Sequence, residues 1–314
     1  MDYITYFREG DRVSGVYLCK NKVNAKTKVG KTYYSLTLQD KTGTVDAKVW
    51  DLSSGIDHFE AMDYIHIEGE VTVYQGVNQV NIRRIRRAQE GEYLPEDYLP
   101  SSPFDMEEMK TLLLAFVKSV KNEKLRRLLE SFFVDDAAFW KEFCSHSAAK
   151  SVHHSFVGGL LQHTLRVTQM CDFYCVQYPV LKRDLLIAGA LLHDIGKTRE
   201  ISAFPSNDYT DEGQLLGHIV MGYEMVMSRI REIDGFPRKL ANELGHLILS
   251  HHGEFEFGSP KKPSIAEAIA LHFADNTDAK MELVTELLDT AVDGNWLGYN
   301  KLIESNFRKT SDVE

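Results

Sequence analysis

Cysteine is scarce in this chain of 314 residues, with four in all at Cys19, Cys144, Cys171 and Cys175. They form no framework of paired spacings, which excludes a disulfide-stapled secreted scaffold and fits a reducing compartment, the cytoplasm. Cys171 and Cys175 lie four apart on a predicted helix, where buried structural thiols are the ordinary outcome. Long apolar runs are also missing. None approaches the roughly 20 residues that a bilayer span requires, and the N-terminus, with Asp2, Arg8 and Glu9, lacks the apolar core of a signal segment. No membrane partner is therefore expected. Positive charge is in deficit, with 36 Lys and Arg against 46 Asp and Glu and a net charge of −10. A generally basic nucleic-acid coat is thereby excluded. The deficit is uneven: up to Glu90 there are 13 Lys and Arg against 12 Asp and Glu, leaving 23 against 34 for the remainder. The acidity belongs to the C-terminal two-thirds, where carboxylates can serve metals. Internal repeats and low-complexity tracts are absent as well.

What is present first, from Arg12 to Ile85, is a series of short alternating runs separated by turn signals. The pattern predicts strands at 12–20, 32–39, 43–50, 64–73 and 77–84. Asp40-Lys41-Thr42-Gly43 joins the second to the third, and Gln75-Gly76 joins the last pair. Five strands with a longer segment between the third and fourth match a Greek-key barrel of the OB type, although any small antiparallel barrel would read similarly. Lys20, Lys22, Lys26, Lys28 and Lys31 surround the first long loop, Tyr33 and Tyr34 follow it, and Arg83, Arg84, Arg86 and Arg87 close the module. Single-strand binders combine cations for the backbone with aromatic faces for bases. A lysine-rich loop is also what a merely solvated loop looks like. The candidate contacts are Lys28, Lys31, Tyr33, Tyr34 and the four arginines.

The text then changes to Gly91, Pro95, Pro100, Ser101, Ser102 and Pro103, a linker composition. The expected division is a barrel over 1–90, a linker over 91–104, a helical domain over 105–306 and a frayed tail over 307–314. Helices are predicted at 105–121, 123–133, 135–145, 154–178, 181–195, 214–233, 237–251, 263–275 and 278–289. Between Ile201 and Gly213 an irregular loop or small hairpin is expected. The fold class is thus two domains, all-β followed by an all-α bundle.

The chemistry centres on Leu191-Leu192-His193-Asp194-Ile195-Gly196-Lys197, which ends the apolar run from Leu185. Burying an imidazole beside a carboxylate is costly unless a partner compensates, and a divalent cation is the simplest one. Gly196 suits a helix C-cap, with Lys197 just beyond it. The other candidate ligands stand on different predicted helices: His163, His218, His251 with His252, and Asp275. Converging helices can point such a set into one cavity, and the count suits two cations with Asp194 between them. Mixed carboxylates and imidazoles suit Mn²⁺ or Fe²⁺, with Mg²⁺ weaker and Zn²⁺ compatible.

The ordered set His163, His193-Asp194, His218, His251-His252, Asp275 resembles the HD superfamily of metal-dependent phosphohydrolases, in its members with a second metal. With the OB-type module, the linker and Gly158-Gly159-Leu160-Leu161-Gln162-His163-Thr164, nearly the whole chain resembles the YhaM-type 3′–5′ exoribonucleases. The resemblance implies that His163, His193, Asp194 and Asp275 hold one metal. His218 and His251 would hold the other and share Asp194, with His252 as the alternative neighbour. Gly159 occupies the place where some relatives carry an acid for a third metal, so two are expected, and the resemblance favours Mn²⁺. Lys197 takes the position that faces substrate phosphate in such enzymes. His272, three residues before Asp275, reads as a supporting histidine, and His153 and His154 as lining of the substrate path or helix-end surface.

The activity implied is metal-dependent 3′–5′ exonucleolytic hydrolysis of single-stranded RNA to 5′-mononucleotides by an activated water. Since water attacks, the 2′-hydroxyl is not required, and single-stranded DNA is a second candidate substrate. Asp194 and Lys197 are the catalytic candidates. Two rival readings remain: an HD phosphohydrolase of a small nucleotide, and a DNA-binding regulator whose HD domain is a non-catalytic scaffold. Oligomeric state, including homo-oligomerisation, does not follow from residue spacing.

Overall fold

In the computed structural model, the chain divides into two compact units: Met1–Ser101 with Phe204–Ser206, and Ser102–Ala203 with Asn207–Glu314. The structure describes residues 2–311 apart from 28–29, 54, 100–101, 151–155, 290–294 and 302.

The first unit is built from β1 (Arg12–Lys26), β2 (Thr32–Asp40), β3 (Gly43–Val49), β4 (Tyr64–Tyr74) and β5 (Val77–Arg87). They close a barrel in the order β1-β2-β3-β5-β4. Closure comes from a parallel pairing of β3 with β5, while the other ladders are antiparallel. This is the Greek-key OB arrangement the spacing predicts. Alternation drives it: Leu36 and Leu38 on β2, and Ala47 and Val49 on β3, point inward and are buried, as do Ile65, Ile67, Val71, Val80 and Ile85. β1 runs to Lys26, beyond the expected end at 20, since its polar second half still pairs with β2 down to Lys26 opposite Thr32. At the β4–β5 connection Gln75 and Gly76 both have positive φ, 52° and 83°, the backbone that a two-residue hairpin demands.

The second unit is helical: α1 (Met106–Ser119), α2 (Glu123–Phe133), α3 (Ala137–Ser145), α4 (Gly159–Gln177), α5 (Arg183–Leu192), α6 (Lys197–Glu200), α7 (Asp211–Glu232), α8 (Arg238–Ser250) and α9 (Ala266–Asp289). Side-chain caps mark the starts of several: Asp105 accepts from Glu108 N at 2.9 Å, and Thr210 Oγ1 from Gly213 N at 2.9 Å. α5 is the axis, because every residue from Leu185 to Leu192 is buried, packed by α2, α4, α8 and α9. No helix of the described residues is long and apolar enough to cross a membrane.

Several expectations are corrected here. The stretch 263–289 is one helix from Ala266 rather than two, because buried Leu271, Ala274, Asp278 and Leu283 form a continuous inward stripe that Asn276 and Thr277 do not interrupt. α5 stops at Leu192, and His193 to Gly196 form a turn before α6. Gly196 is therefore not a left-handed C-cap; its φ is −64° and it precedes α6. The segment from Ile201 to Tyr209 is, as expected, largely irregular, with one antiparallel bridge between Ile201 and Tyr209. α7 starts at Asp211, earlier than predicted, and breaks at Gly217, where φ is 74° and ψ is 154°. Beyond α9, in the region assigned to the helical domain, lies a β pair: β6 (Trp296–Asn300) pairs with β7 (Ser305–Arg308), which reaches two residues into the expected tail. All four cysteines are free.

Candidate metal centre and nucleic-acid surface

Each candidate ligand sits at or near a helix end or on an inward stripe, and the bundle gathers them. His163 lies in the first turns of α4, His193 and Asp194 follow α5, His218 restarts α7 after its break, His251 and His252 follow α8, and Asp275 lies on α9. Asp194 stands at the middle, about 1% exposed. Its Oδ2 is 3.3 Å from His163 Nε2 and 3.4 Å from His193 Nε2, and its Oδ1 is 3.6 Å from the Nε2 atoms of both His218 and His251. Asp275 Oδ1 adds 3.1 Å to His163 Nε2 and 3.8 Å to His193 Nε2. Two clusters with metal-ligating atoms within 4.8 Å of one another result: His163, His193, Asp275 on one side and His218, His251, His252 on the other. His252 therefore joins the second cluster together with His251.

The outer ring nitrogens explain the orientation. Nδ1 of His193 lies 2.7 Å from Ala190 O, that of His251 2.7 Å from Ile248 O, and that of His252 2.7 Å from Phe257 O. Each carbonyl fixes the Nδ1–H tautomer and leaves Nε2 as a lone-pair donor facing inward. Carboxylates do the same for the remaining two: Asp278 Oδ2 is 2.7 Å from His163 Nδ1, and both Glu200 oxygens are 3.0 Å from His218 Nδ1. Glu200 Oε1 also accepts the His218 N–H at 3.0 Å, so one carboxylate caps the restart of α7 and aims its first imidazole.

The donor set fits divalent cations on an observation of its own. Asp194 Oδ1, His218 Nε2 and His251 Nε2 are buried without a hydrogen-bond partner among the described residues. Such orphaned atoms are costly unless something outside the protein's own hydrogen-bond inventory satisfies them. Protonation differs between the imidazoles: burial opposes the charge of His163, but Asp194, Asp275 and Asp278 outweigh it and raise its pKa well above the ordinary value, whereas the His251 and His252 side is neutral. Burial, then the neighbouring His251 and His218, pushes the His252 imidazole down to about 3, and burial likewise lowers His251, so both are neutral. Burial opposes ionisation of Asp194, but Lys197 and His193 outweigh it and hold the carboxyl well below its usual range. Lys197 Nζ lies 2.7 Å from Asp194 Oδ2. Burial works against its charge, yet Asp194 keeps the ammonium protonated.

A cavity of about 420 Å³ opens beside this centre, lined among others by His163, Lys197, His252, His272 and Asp275. His272 Nδ1 contacts His251 O at 3.0 Å, in the supporting role expected of it. His153 and His154 lie outside the described residues.

On the barrel, the candidate contacts separate by strand alternation. Tyr33 faces outward and stacks on Trp50 at 4.5 Å between ring centroids. Tyr34 faces the other way: it packs against the barrel core, edge-on to Phe59 and beneath the Lys22 ammonium. Lys31 is exposed at the start of β2, and Lys28 lies outside the described residues. All four arginines already face carboxylates: Arg83 with Glu70 at 3.0 Å, Arg84 with Glu68 at 3.6 Å, Arg86 with Glu92 at 2.7 Å and Arg87 with Asp63 at 2.9 Å. Exposed pairs of this kind contribute little and exchange readily for other partners.

Comparison with known proteins gives the lineage. Residues 160–280 match the HD domain, and residues 19–88 match the OB-fold nucleic acid binding domain. A 3′-5′ exoribonuclease YhaM of Bacillus velezensis is 36% identical over 91% of this chain and 91% of its own length. The chain belongs to the YhaM family. A Geobacillus member is 34% identical over 93% of this chain and 90% of its own, and the Bacillus subtilis member is 34% identical over 91% of both.

Within this family member, three contributors escaped the sequence reading. Asp278 is legible as the i+3 companion of Asp275 only if the helix continues through Asn276 and Thr277, which the split reading denied. Glu200, three residues past Lys197, gave no signal on its own, because its partner His218 arrives from another helix. Trp50 was within reach: Val45, Ala47 and Val49 point inward, so the next residue points out.

Proposed function

We propose that this protein is a metal-dependent 3′–5′ exonuclease that hydrolyses single-stranded RNA to 5′-mononucleotides, with single-stranded DNA as a second substrate. The observation that carries the reading is Asp194, one buried carboxylate with each oxygen turned to a different cluster of imidazoles. The relatives' activity as 3′-5′ exoribonucleases supports the direction and the RNA; the chemistry of the centre supports the hydrolysis.

In this reading His163, His193 and Asp275 hold one cation, His218, His251 and His252 hold the other, and Asp194 serves both. Mixed imidazole and carboxylate donors suit Mn²⁺ or Fe²⁺, and the family resemblance favours Mn²⁺, with Fe²⁺, Mg²⁺ and Zn²⁺ as alternatives. Bound there, two divalent cations supply a nucleophilic water at neutral pH and neutralise phosphoryl charge. The chain's own groups prepare the rest. The carbonyls of Ala190, Ile248 and Phe257 hold their histidines in one tautomer, and Asp278 and Glu200 aim the other two. Lys197, held protonated and lining the cavity, presents a cation to a phosphoryl oxygen of the substrate. The module over 1–90 holds the strand, the helical region over 105–306 cleaves it, and the work is cytoplasmic, in keeping with four unpaired cysteines. On the barrel we assign strand contacts to Lys28, Lys31, Tyr33, Arg83, Arg84, Arg86 and Arg87, with Trp50 added beside Tyr33; Tyr34, packed against the barrel core, is not among them.

The test is purified protein with Mn²⁺ on single-stranded RNA labelled at either end, with free and blocked 3′ termini. Stepwise release of 5′-mononucleotides from free 3′ ends is expected, and loss of release on blocking them. An Asp194→Ala variant that still cleaves, or a wild type that cleaves under no metal, overturns the assignment.

A further inference from the structure

The 420 Å³ cavity is lined by residues of both metal-ligating clusters, His163 and Asp275 from one and His252 from the other. Its volume lies in the range of small-ligand sites and suits one nucleotide rather than a strand. Its walls are of two kinds. Lys197 and Lys280 are cationic; Phe257, Ala279 and Leu283 are apolar. A ligand with an anionic end and a flat apolar end matches both.

Phe257 is the telling residue. The residue is 64% exposed although it borders a buried centre, so the core does not require it. Its backbone is fixed: Phe257 O lies 2.7 Å from His252 Nδ1, and Phe257 N donates to Glu254 O at 3.2 Å. Gly258, with φ of 87°, turns the chain away just after it, and Gly258 N donates to Phe255 O at 3.0 Å. A held backbone carrying an uncovered aromatic face is a preorganised stacking platform. By contrast, the nearby exposed Phe255 has the Lys262 ammonium 5.5 Å over its ring and does not line the cavity. From α9, Asn276 and Lys280 reach the same cavity, four residues apart and so on one face, directly after the ligand position Asp275. Lys280 has no carboxylate partner among the described residues, which leaves its charge for the ligand.

We infer that this cavity is the subsite for the 3′-terminal nucleotide, with the base stacked on Phe257 and its sugar and phosphate met by Asn276 and Lys280. The inference rests on the exonuclease reading and adds what that reading leaves unassigned: where the departing nucleotide lies and why one is removed at a time. Because the His252 ring is tied to the Phe257 carbonyl, the same short loop sets a metal-ligating side chain and the base platform together.

The experiment is a double-mutant cycle between protein and substrate. Wild type, Phe257→Ala and Phe257→Trp are assayed for kcat/KM on an RNA oligonucleotide with an intact 3′-terminal nucleotide and on one whose terminal nucleotide is abasic. Bound Mn²⁺ is counted in each protein. Wild type is expected to prefer the intact end by about 10- to 100-fold, the size of a base–aromatic stack. The alanine variant loses that factor on the intact end alone and no longer discriminates, while the tryptophan variant restores discrimination, at unchanged Mn²⁺ content. A wild type that cleaves both ends equally well overturns the subsite but leaves the exonuclease reading standing. An alanine variant slowed equally on both also overturns it. A wild type that degrades neither RNA removes the exonuclease reading and the subsite with it.

Discussion

Adding one methyl group at Gly196 should dismantle half of the centre. Gly196 has an ordinary φ of −64°, so no backbone strain demands glycine there. What demands it is the approach of α7: a Cβ at this position falls 2.1 Å from His218 O, 2.6 Å from Gly222 N and 2.9 Å from His218 C. All three are backbone atoms and none can rotate aside, so α7 must retreat by about 1 Å to restore a tolerable contact. The expected cost is about 1–3 kcal/mol, read as roughly 2–4 °C of Tm for each kcal/mol in a unit of this size. The functional cost is larger. The displaced residue is His218 itself, 3.6 Å from Asp194 Oδ1, and a misplacement of about 1 Å is worth on the order of 10²-fold in rate. Gly196→Ala should therefore melt earlier, lose the cation of the His218 cluster while retaining the other, and cleave RNA about 100-fold more slowly. Gly222→Ala is the internal control, since its Cβ meets Gly196 N at 3.3 Å and needs only a slight adjustment. Calorimetry and metal analysis on both variants decide the matter. If Gly196→Ala binds two cations and cleaves like wild type, the close approach of these two backbones does not set the geometry of the centre.

The supporting carboxylates should be separable by cluster. Glu200→Ala should weaken the cation on the His218 side and Asp278→Ala the one on the His163 side, each by about 10–100-fold; metal titrations in which either variant weakens both alike would contradict the pairing seen at His218 and His163. Lys197→Met should lower kcat on RNA by about 10²-fold or more, the scale of losing one preorganised charge, and unaltered kcat would remove Lys197 from the chemistry. Metal-free protein should lose stability as pH falls from about 6.5. His252 is held at about 3 when folded, by burial and the adjacent histidines, whereas unfolded it titrates near 6.5. Between these values the unfolded chain binds more protons, so stability rises with pH across that window. A Tm of the metal-free protein that climbs on acidification from pH 6.5 to 4 would refute this.

Much of the molecule was legible because its signals are local. The period-two alternation and the Gln75-Gly76 turn specified the barrel, and the unbroken apolar run from Leu185 to Leu192 specified a central helix. The ligands were legible as residue types in order on separate helices. Where the reading failed, the deciding interaction lay elsewhere in the fold. Asn276 and Thr277 looked like a helix end, but the stripe from Leu271 to Leu283 buries against neighbours that only the bundle provides. Gly196 looked like a C-cap because glycine usually buys positive φ; here it buys space for another helix.

By itself, then, the sequence determined two domains, the barrel topology, the inward faces and the inventory of imidazoles and carboxylates, since these follow from periodicity and composition along neighbouring residues. Tertiary structure alone decided the rest. It gave His252 a place beside His218, attached Glu200 to His218 and Asp278 to His163, packed Tyr34 against the core while Tyr33 met Trp50, and paired the arginines with Glu68, Glu70, Glu92 and Asp63. Each of these is a meeting of side chains distant in sequence or a choice between two faces. Such outcomes are fixed only when packing brings the elements together, because no property of either residue alone records its partner.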